Sequence, residues 1–185
     1  MSDEELGREL VERGYLEGDF VLRSGKRSSF YFDKFRFETQ PAVLEPLGRR
    51  IALAVREHEP DAARLACPVL GAVVIASAVS LASGLPFVIV RDKAKEYGTA
   101  NRIEGAFEPG ERVCLIEDVV TSGGALSEAV GALREAGLEC RTAVCVVDRE
   151  EGGVDALARL GVRLEPLFRA SMLLELRKSA AKPHG

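Results

Sequence analysis

From Leu65 to Val90 the chain carries no charged side chain, and this run restricts the fold more than any other stretch. It is long enough to cross a bilayer as a single helix. Pro68, Gly71, Gly84 and Pro86 cut it into pieces, however, and Ser77, Ser80 and Ser83 dilute it. The pieces have the lengths of a strand at about Leu65 to Cys67, a helix at about Ala72 to Ala82 and a strand at about Phe87 to Arg91. Strands and crossover helices covered on both sides are apolar throughout, so the segment is expected in the core of an α/β domain rather than in a membrane.

The same alternation extends in both directions. Ser2 with Glu5 forms a capping box for a helix to about Tyr15, and Leu44, Leu47, Ile51, Ala54 and Val55 fall on one face of a second helix. Between them, Phe20 to Arg23 and Phe30 to Phe32 read as strands joined by the polar turn Ser24 to Ser28. Strand signals recur at Val113 to Ile116, Arg141 to Val147 and Val162 to Leu167, with helical stretches at Leu126 to Glu135 and Val154 to Leu160 between them. Repeated strand, helix, strand predicts an α/β fold: a mostly parallel twisted sheet with helices on both faces. Ligands of such sheets sit beyond the carboxyl ends of the strands.

Composition narrows the partners. A chain of 185 residues, 46% hydrophobic and 29% charged, fits one globular domain with a substantial core. A formal net charge of -4 argues against broad binding to the nucleic-acid backbone, which needs a basic surface. Cys67, Cys114, Cys140 and Cys145 lack C-x-x-C spacing, lie mostly in apolar runs and have no histidine cluster nearby, so buried reduced thiols are expected rather than a zinc site. Met1-Ser2-Asp3-Glu4-Glu5 has neither the basic nor the apolar region of a secretory signal, from which a cytoplasmic location is expected. No repeat or low-complexity block is visible; the residues from Lys178 to Gly185 read as a disordered tail.

Chemistry concentrates in Val113-Cys114-Leu115-Ile116-Glu117-Asp118-Val119-Val120-Thr121-Ser122-Gly123-Gly124-Ala125-Leu126. An apolar strand runs into two adjacent carboxylates, then a hydroxyl- and glycine-rich turn, then the opening of a helix. Backbone N–H groups at a helix start lack intrahelical partners and carry partial positive charge, so such a turn is suited to a phosphate. Carboxylates beside a phosphate site point to a ligand that also carries hydroxyls, and a sugar phosphate meets both demands. Adjacent residues of a regular strand face opposite sides, so at most one of Glu117 and Asp118 would face the ligand unless the strand has already ended. A second polar segment, Asp92 to Arg102, follows Arg91 at a strand end and carries Lys93, Lys95 and Arg102; it reads as a cationic lid.

The segment Leu115 to Leu126 resembles the phosphoribosyl pyrophosphate signature of the type I phosphoribosyltransferases. Three more segments resemble the orotate phosphoribosyltransferases among them: Phe20-Val21-Leu22-Arg23-Ser24-Gly25-Lys26-Arg27-Ser28-Ser29-Phe30-Tyr31-Phe32-Asp33, Arg91-Asp92-Lys93-Ala94-Lys95-Glu96-Tyr97-Gly98, and Val146-Val147-Asp148-Arg149. The resemblance implies one domain over residues 1–178, with a small N-terminal hood of helix and strands at about 1–40, a core at about 41–170 and a tail at 179–185. It implies transfer of a phosphoribosyl group to orotate. Thr121, Ser122, Gly123, Gly124 and Ala125 would cradle the 5-phosphate, Glu117 and Asp118 would face the ribose hydroxyls, and Arg91, Lys93 and Lys95 would bind the pyrophosphate. Lys26, Phe30, Tyr31, Thr121 and Arg149 would surround orotate. Catalysis would rest on Lys95, Arg91, Asp118 and Glu117, with Mg2+ carried by the substrate pyrophosphate rather than held in a protein-only site.

The resemblance further implies a homodimer whose 91–104 loop is shared across the interface. A purine-salvage phosphoribosyltransferase, or a regulator that senses phosphoribosyl pyrophosphate without turnover, would share the signature. Lys26 and the Phe30-to-Asp33 stretch count against the first, and Asp92, an anion in a cationic loop, favours the second. Further departures from bacterial members are Tyr97 where a histidine is common, Ser29 where proline is common, and a turn at Cys67 to Ala72 without a lysine.

Overall fold

The computed structural model describes residues 1–21, 27–92 and 102–180, apart from the side chains of Ser28, Phe30 and Ala180. Helix α1 (Asp3–Gly14) starts at the expected capping box: the Glu5 N–H donates to Ser2 Oγ at 3.2 Å and the Ser2 N–H donates to Glu5 Oε2 at 2.6 Å. An antiparallel hairpin follows, β1 (Tyr15–Val21) with β2 (Arg27–Phe32). Strand β1 begins earlier than the sequence predicts. Glu17, Gly18 and Asp19 interrupt its apolar alternation, and a register shift between Glu17 and Phe20 absorbs the irregularity. Glu17 pairs with Arg177 and Asp19 with Arg27, so the polar segment is held by ion pairs rather than burial.

A single turn, α2 (Phe35–Glu38), then leads into α3 (Pro41–His58), whose Pro41 opens the helix. The uncharged stretch divides as predicted into β3 (Arg64–Pro68), α4 (Gly71–Ser83) and β4 (Phe87–Val90). Gly84 ends α4 in the left-handed region, φ 77°. Strand β5 (Ile103–Glu104) is followed by β6 (Arg112–Val120), α5 (Gly124–Glu135), β7 (Glu139–Asp148), α6 (Gly153–Ala158), β8 (Arg163–Arg169) and α7 (Ala170–Ala180). Helix α7 extends past Lys178, where the sequence reads as tail; residues 181–185 lie outside the described residues.

The main sheet has the order β5-β4-β3-β6-β7-β8, parallel except for the edge strand β5. One face buries Leu6, Leu10, Phe37, Leu47, Ile51 and Ile75 against it, and the opposite face buries Leu115, Leu126, Val130, Leu133 and Leu157. The two-sided cover explains the uninterrupted apolar strands. All four cysteines are free and buried. Among the described residues no helix is long and apolar enough to cross a membrane.

Candidate active site

Strands β3 and β6 are neighbours, yet β3 leads outward to β4 on one side and β6 leads to β7 and β8 on the other. The chain order reverses between them, which opens a crevice at their carboxyl ends. Into it run the β3–α4 turn, with its cis Val69–Leu70 peptide, and the β6–α5 turn, Thr121 to Gly123.

The β6–α5 turn has the form expected of an anion cradle. Gly123 sits at φ 79° as the residue before α5 and supplies no side-chain cap, so the first N–H groups of α5 remain for a ligand. Thr121, Ser122, Gly124 and Ala125 are exposed around the buried Gly123. A Cβ on Gly123 would lie 3.1 Å from Gly153 Cα and 3.2 Å from Ala156 Cβ, whereas one on Gly124 meets nothing nearer than Ser122 Oγ at 3.9 Å. The turn is therefore pressed onto the start of α6 on one side and open on the other.

The acid pair lies wholly within β6, which continues pairing with β7 through Val120 and Asp148. The strand has not ended at the pair, and the Asp118 carboxylate reaches Lys34 and the first residue of α4: Oδ2 accepts from Lys34 Nζ, while Oδ1 accepts from the Val119 N–H. Glu117 folds back, Oε1 accepting from the Asp118 N–H at 2.9 Å. Burial, and next the Asp118 charge beside it, push the Glu117 carboxyl well above the usual carboxylate range. The first residue of α4 must be glycine here, because a Cβ on Gly71 would overlap the Asp118 carboxylate and crowd the Lys34 ammonium. Glu38, one helical turn after Lys34, is fully buried, and among the described residues neither of its carboxyl oxygens has a hydrogen-bond partner. Burial pushes its carboxyl up to about 8, with Asp118 and Asp33 adding to the shift and Lys34 opposing it.

Arg149 follows β7 and lines a cavity of about 300 Å3 beneath the hairpin, together with Val11, Tyr15, Phe32, Val147 and Leu173. Its guanidinium pairs with Glu151 at 3.0 Å. Of the two aromatic residues expected beside the base, Tyr31 turns away from this cavity. It is 42% exposed, its ring 5.6 Å from that of Phe20, while the next residue, Phe32, faces inward onto Phe37 at 5.5 Å. Strand alternation separates the two. Phe30 lies on β2 with its side chain outside the described residues.

Lys26, Lys93, Lys95 and Tyr97 also lie outside the described residues. Arg91 is described: its backbone N–H donates to Arg102 O at 2.8 Å and its guanidinium reaches Glu104 Oε1 at 3.4 Å. Asp92 is exposed.

The structure thus brings Glu117, Asp118 and the Thr121-to-Ala125 turn together. It adds three residues that the sequence reading missed: Lys34, Glu38 and Gly71. The signal for the first two was present as a lysine and an acid at i and i+4 with aromatic residues between them in Lys34-Phe35-Arg36-Phe37-Glu38.

A phosphoribosyl transferase domain model matches residues 39–159. An orotate phosphoribosyltransferase of Methanopyrus kandleri is 46% identical over an alignment covering 100% of this chain and 99% of that protein. Among solved structures, the UMP synthase of Leishmania donovani superposes with a TM-score of 0.85 at 35% identity, covering all of this chain and 40% of that one. The Mycobacterium tuberculosis orotate phosphoribosyltransferase in complex with 5-phospho-alpha-D-ribosyl 1-diphosphate superposes with a TM-score of 0.78 at 26% identity, covering 92% of this chain and 98% of that one. A parallel sheet with a phosphate-type helix start and buried acid at its switch point, and a near full-length relative at this identity, lead to one assignment. The chain belongs to the phosphoribosyl transferase domain family and, within it, to the orotate phosphoribosyltransferases.

Proposed function

We propose that the protein transfers the 5-phosphoribosyl group from phosphoribosyl pyrophosphate to orotate, giving orotidine 5'-monophosphate and pyrophosphate in pyrimidine synthesis. The observation that carries this reading is the pairing of an uncapped helix start on an exposed glycine turn with the buried Asp118 one strand end away. In this reading the N–H groups of Thr121 to Ala125 hold the 5-phosphate, and Asp118, backed by Glu117, accepts from the ribose hydroxyls. Arg149 faces the orotate carboxylate or ring edge, with Lys26, Phe30 and Thr121 completing the base site and Tyr31, which faces away from the Arg149 cavity, left outside it. Arg91, Lys93 and Lys95 meet the pyrophosphate.

Attack of the orotate ring nitrogen on ribose C1 breaks the C1–O bond to pyrophosphate, building positive charge on the sugar and negative charge on the leaving group. Fixed cations at the departing oxygens and a fixed carboxylate at the sugar both favour that separation. Mg2+, when bound with the substrate, neutralises pyrophosphate charge. It prefers an octahedral oxygen set and commonly takes most of it from substrate phosphates and water. The side chains assigned to the pyrophosphate, Arg91, Lys93 and Lys95, are cations and not metal ligands, which fits a metal that arrives on the pyrophosphate. The reading includes a cytoplasmic homodimer whose 91–104 loop reaches the neighbouring subunit.

Ultraviolet absorbance of orotate, followed with phosphoribosyl pyrophosphate and Mg2+ and with purine bases in parallel, tests the reaction. Orotate consumption requiring all three components supports it; turnover with a purine alone, or tight binding of phosphoribosyl pyrophosphate with no turnover, contradicts it. Lys26→Ala is expected to lower kcat/KM for orotate about 10-fold or more, the loss of one charge-assisted contact, while the dissociation constant for phosphoribosyl pyrophosphate stays within a factor of about two. Equal losses in both, read from steady-state kinetics and calorimetry, would remove Lys26 from the base site.

A further inference from the structure

Asp118 is shut in by Lys34. The Asp118 side chain is 2% exposed, whereas that of Lys34, lying over it, is 30% exposed. Gly71 closes the α4 side so tightly that no Cβ fits, and the other carboxylate oxygen accepts from the Val119 N–H. A carboxylate oxygen can accept more than one bond, but with Asp118 only 2% exposed a sugar hydroxyl reaches Oδ2 only when the Lys34 ammonium covering it moves aside. Moving that charge into the crevice unpaired would be costly.

A receiving group is already in place. Glu38 ends α2 one helical turn after Lys34, the residue that caps its start, and its N–H donates to Lys34 O at 3.0 Å, so the two are neighbours at i and i+4. It is a fully buried carboxyl with both oxygens unbonded among the described residues, an arrangement that a structural role does not explain because a buried polar group without a partner destabilises the fold. The Phe35 ring, 5.4 Å from Lys34 Nζ, flanks the ammonium and can remain a cation–π neighbour as it turns.

We propose that Lys34 is a positioning residue with two docking carboxyls: it holds Asp118 in the ligand-free site and passes to Glu38 when ribose hydroxyls take its place. The inference rests on the proposed binding of a phosphoribosyl ligand at Asp118. It has a proton consequence. The charged groups facing Glu38 are Asp118 from β6, Lys34 from its own turn and Asp33 before it, and with burial they hold its carboxyl at about 8, mostly protonated at neutral pH. Burial alone would lower the Lys34 ammonium, but Asp118, with Glu38 and Glu117, raises it, so the lysine stays charged through the exchange. Arrival of that charge ionises Glu38, and its proton leaves to the buffer. Binding of the sugar ligand thus releases a proton near pH 7.

Calorimetric titration of magnesium phosphoribosyl pyrophosphate into the full-length protein at pH 7, in buffers of different ionisation enthalpy, counts the protons released. Wild type should release close to one proton more than Glu38→Gln, whose amide has the shape of the protonated acid. Lys34→Met should lose the same proton, and Lys34→Arg should restore it. A merely structural role for either residue would alter the melting temperature without changing the count. Equal proton release by wild type and Glu38→Gln overturns the exchange, as does Lys34→Met behaving as wild type. Proton release that follows this pattern in a protein that does not consume orotate would leave the exchange standing and remove the proposed reaction. Absence of any binding would remove both.

Discussion

Replacing Asp118 by asparagine is expected to reduce kcat/KM for phosphoribosyl pyrophosphate about 10²- to 10³-fold, the scale on which a preorganised polar partner of a transition state contributes. The amide keeps the shape and one carbonyl oxygen but loses the charge that opposes the growing positive charge on the sugar. It also releases Lys34, whose half-buried ammonium keeps Glu38 and Glu117 as nearby acids. The protein should remain folded, because Asp118 lies at the crevice end of β6 and the core residues Cys114, Leu115 and Ile116 beneath it are untouched. Steady-state rates at varied phosphoribosyl pyrophosphate, with a thermal melt as control, decide the matter. A loss of less than about threefold would mean that Asp118 serves the ion pair with Lys34 and not the reacting sugar, since a factor so small is below 1 kcal/mol.

Gly123→Val carries the second large expectation. The residue stands at φ 79° with Gly153 pressed against it, so a β-branched side chain meets both backbone strain and a clash with α6. Strain of this kind amounts to about 1–3 kcal/mol. For a chain of this size each 1 kcal/mol lowers Tm by roughly 2–4 °C. The same distortion turns the first N–H groups of α5 away from the cradle, so affinity for phosphoribosyl pyrophosphate should fall by about 10-fold or more, the weight of one or two charge-assisted hydrogen bonds. A thermal melt and a binding titration read the two effects separately. A variant that melts lower yet binds as tightly as wild type would place the 5-phosphate somewhere other than this turn.

The elements that the sequence reading captured are those whose residues act locally or repeat with a clear period. The division of Leu65 to Val90 into β3, α4 and β4 follows from Pro and Gly at the breaks, the start of α1 from its capping box, and the β6–α5 turn from carboxylates, hydroxyls and glycines in one run. Strand β6 also continues through Glu117 and Asp118 to Val120, as its apolar run suggests. Elements set by tertiary contacts were harder to read. Strand β1 is polar at Glu17 and Asp19 and is held by Arg177 and Arg27, one of them far away in sequence. Helix α7 depends on packing against α1, with Leu173 and Leu176 against Gly7, and β5 on a two-residue pairing with β4.

The candidate site divides in the same manner. Its sugar-phosphate half is contiguous in the chain and was legible; the Lys34–Asp118 contact joins residues 84 positions apart, and the lysine–acid spacing around Lys34 does not tell which distant strand it meets. Likewise Phe32, not Tyr31, lines the cavity with Arg149, a choice made by which face of β2 meets Phe37. Gly71 is a glycine because two side chains from distant segments converge on its Cα, which is invisible until the crevice is assembled.

A crystal structure with orotidine 5'-monophosphate bound tests the central claim most directly, because the product carries phosphate, ribose and base in one molecule. The account predicts the phosphate on the N–H groups of residues 121–125, a ribose hydroxyl on Asp118 with Lys34 turned to Glu38, and the orotate carboxylate or ring edge beside Arg149. A phosphate seated away from the start of α5, with Asp118 still covered by Lys34, would contradict it.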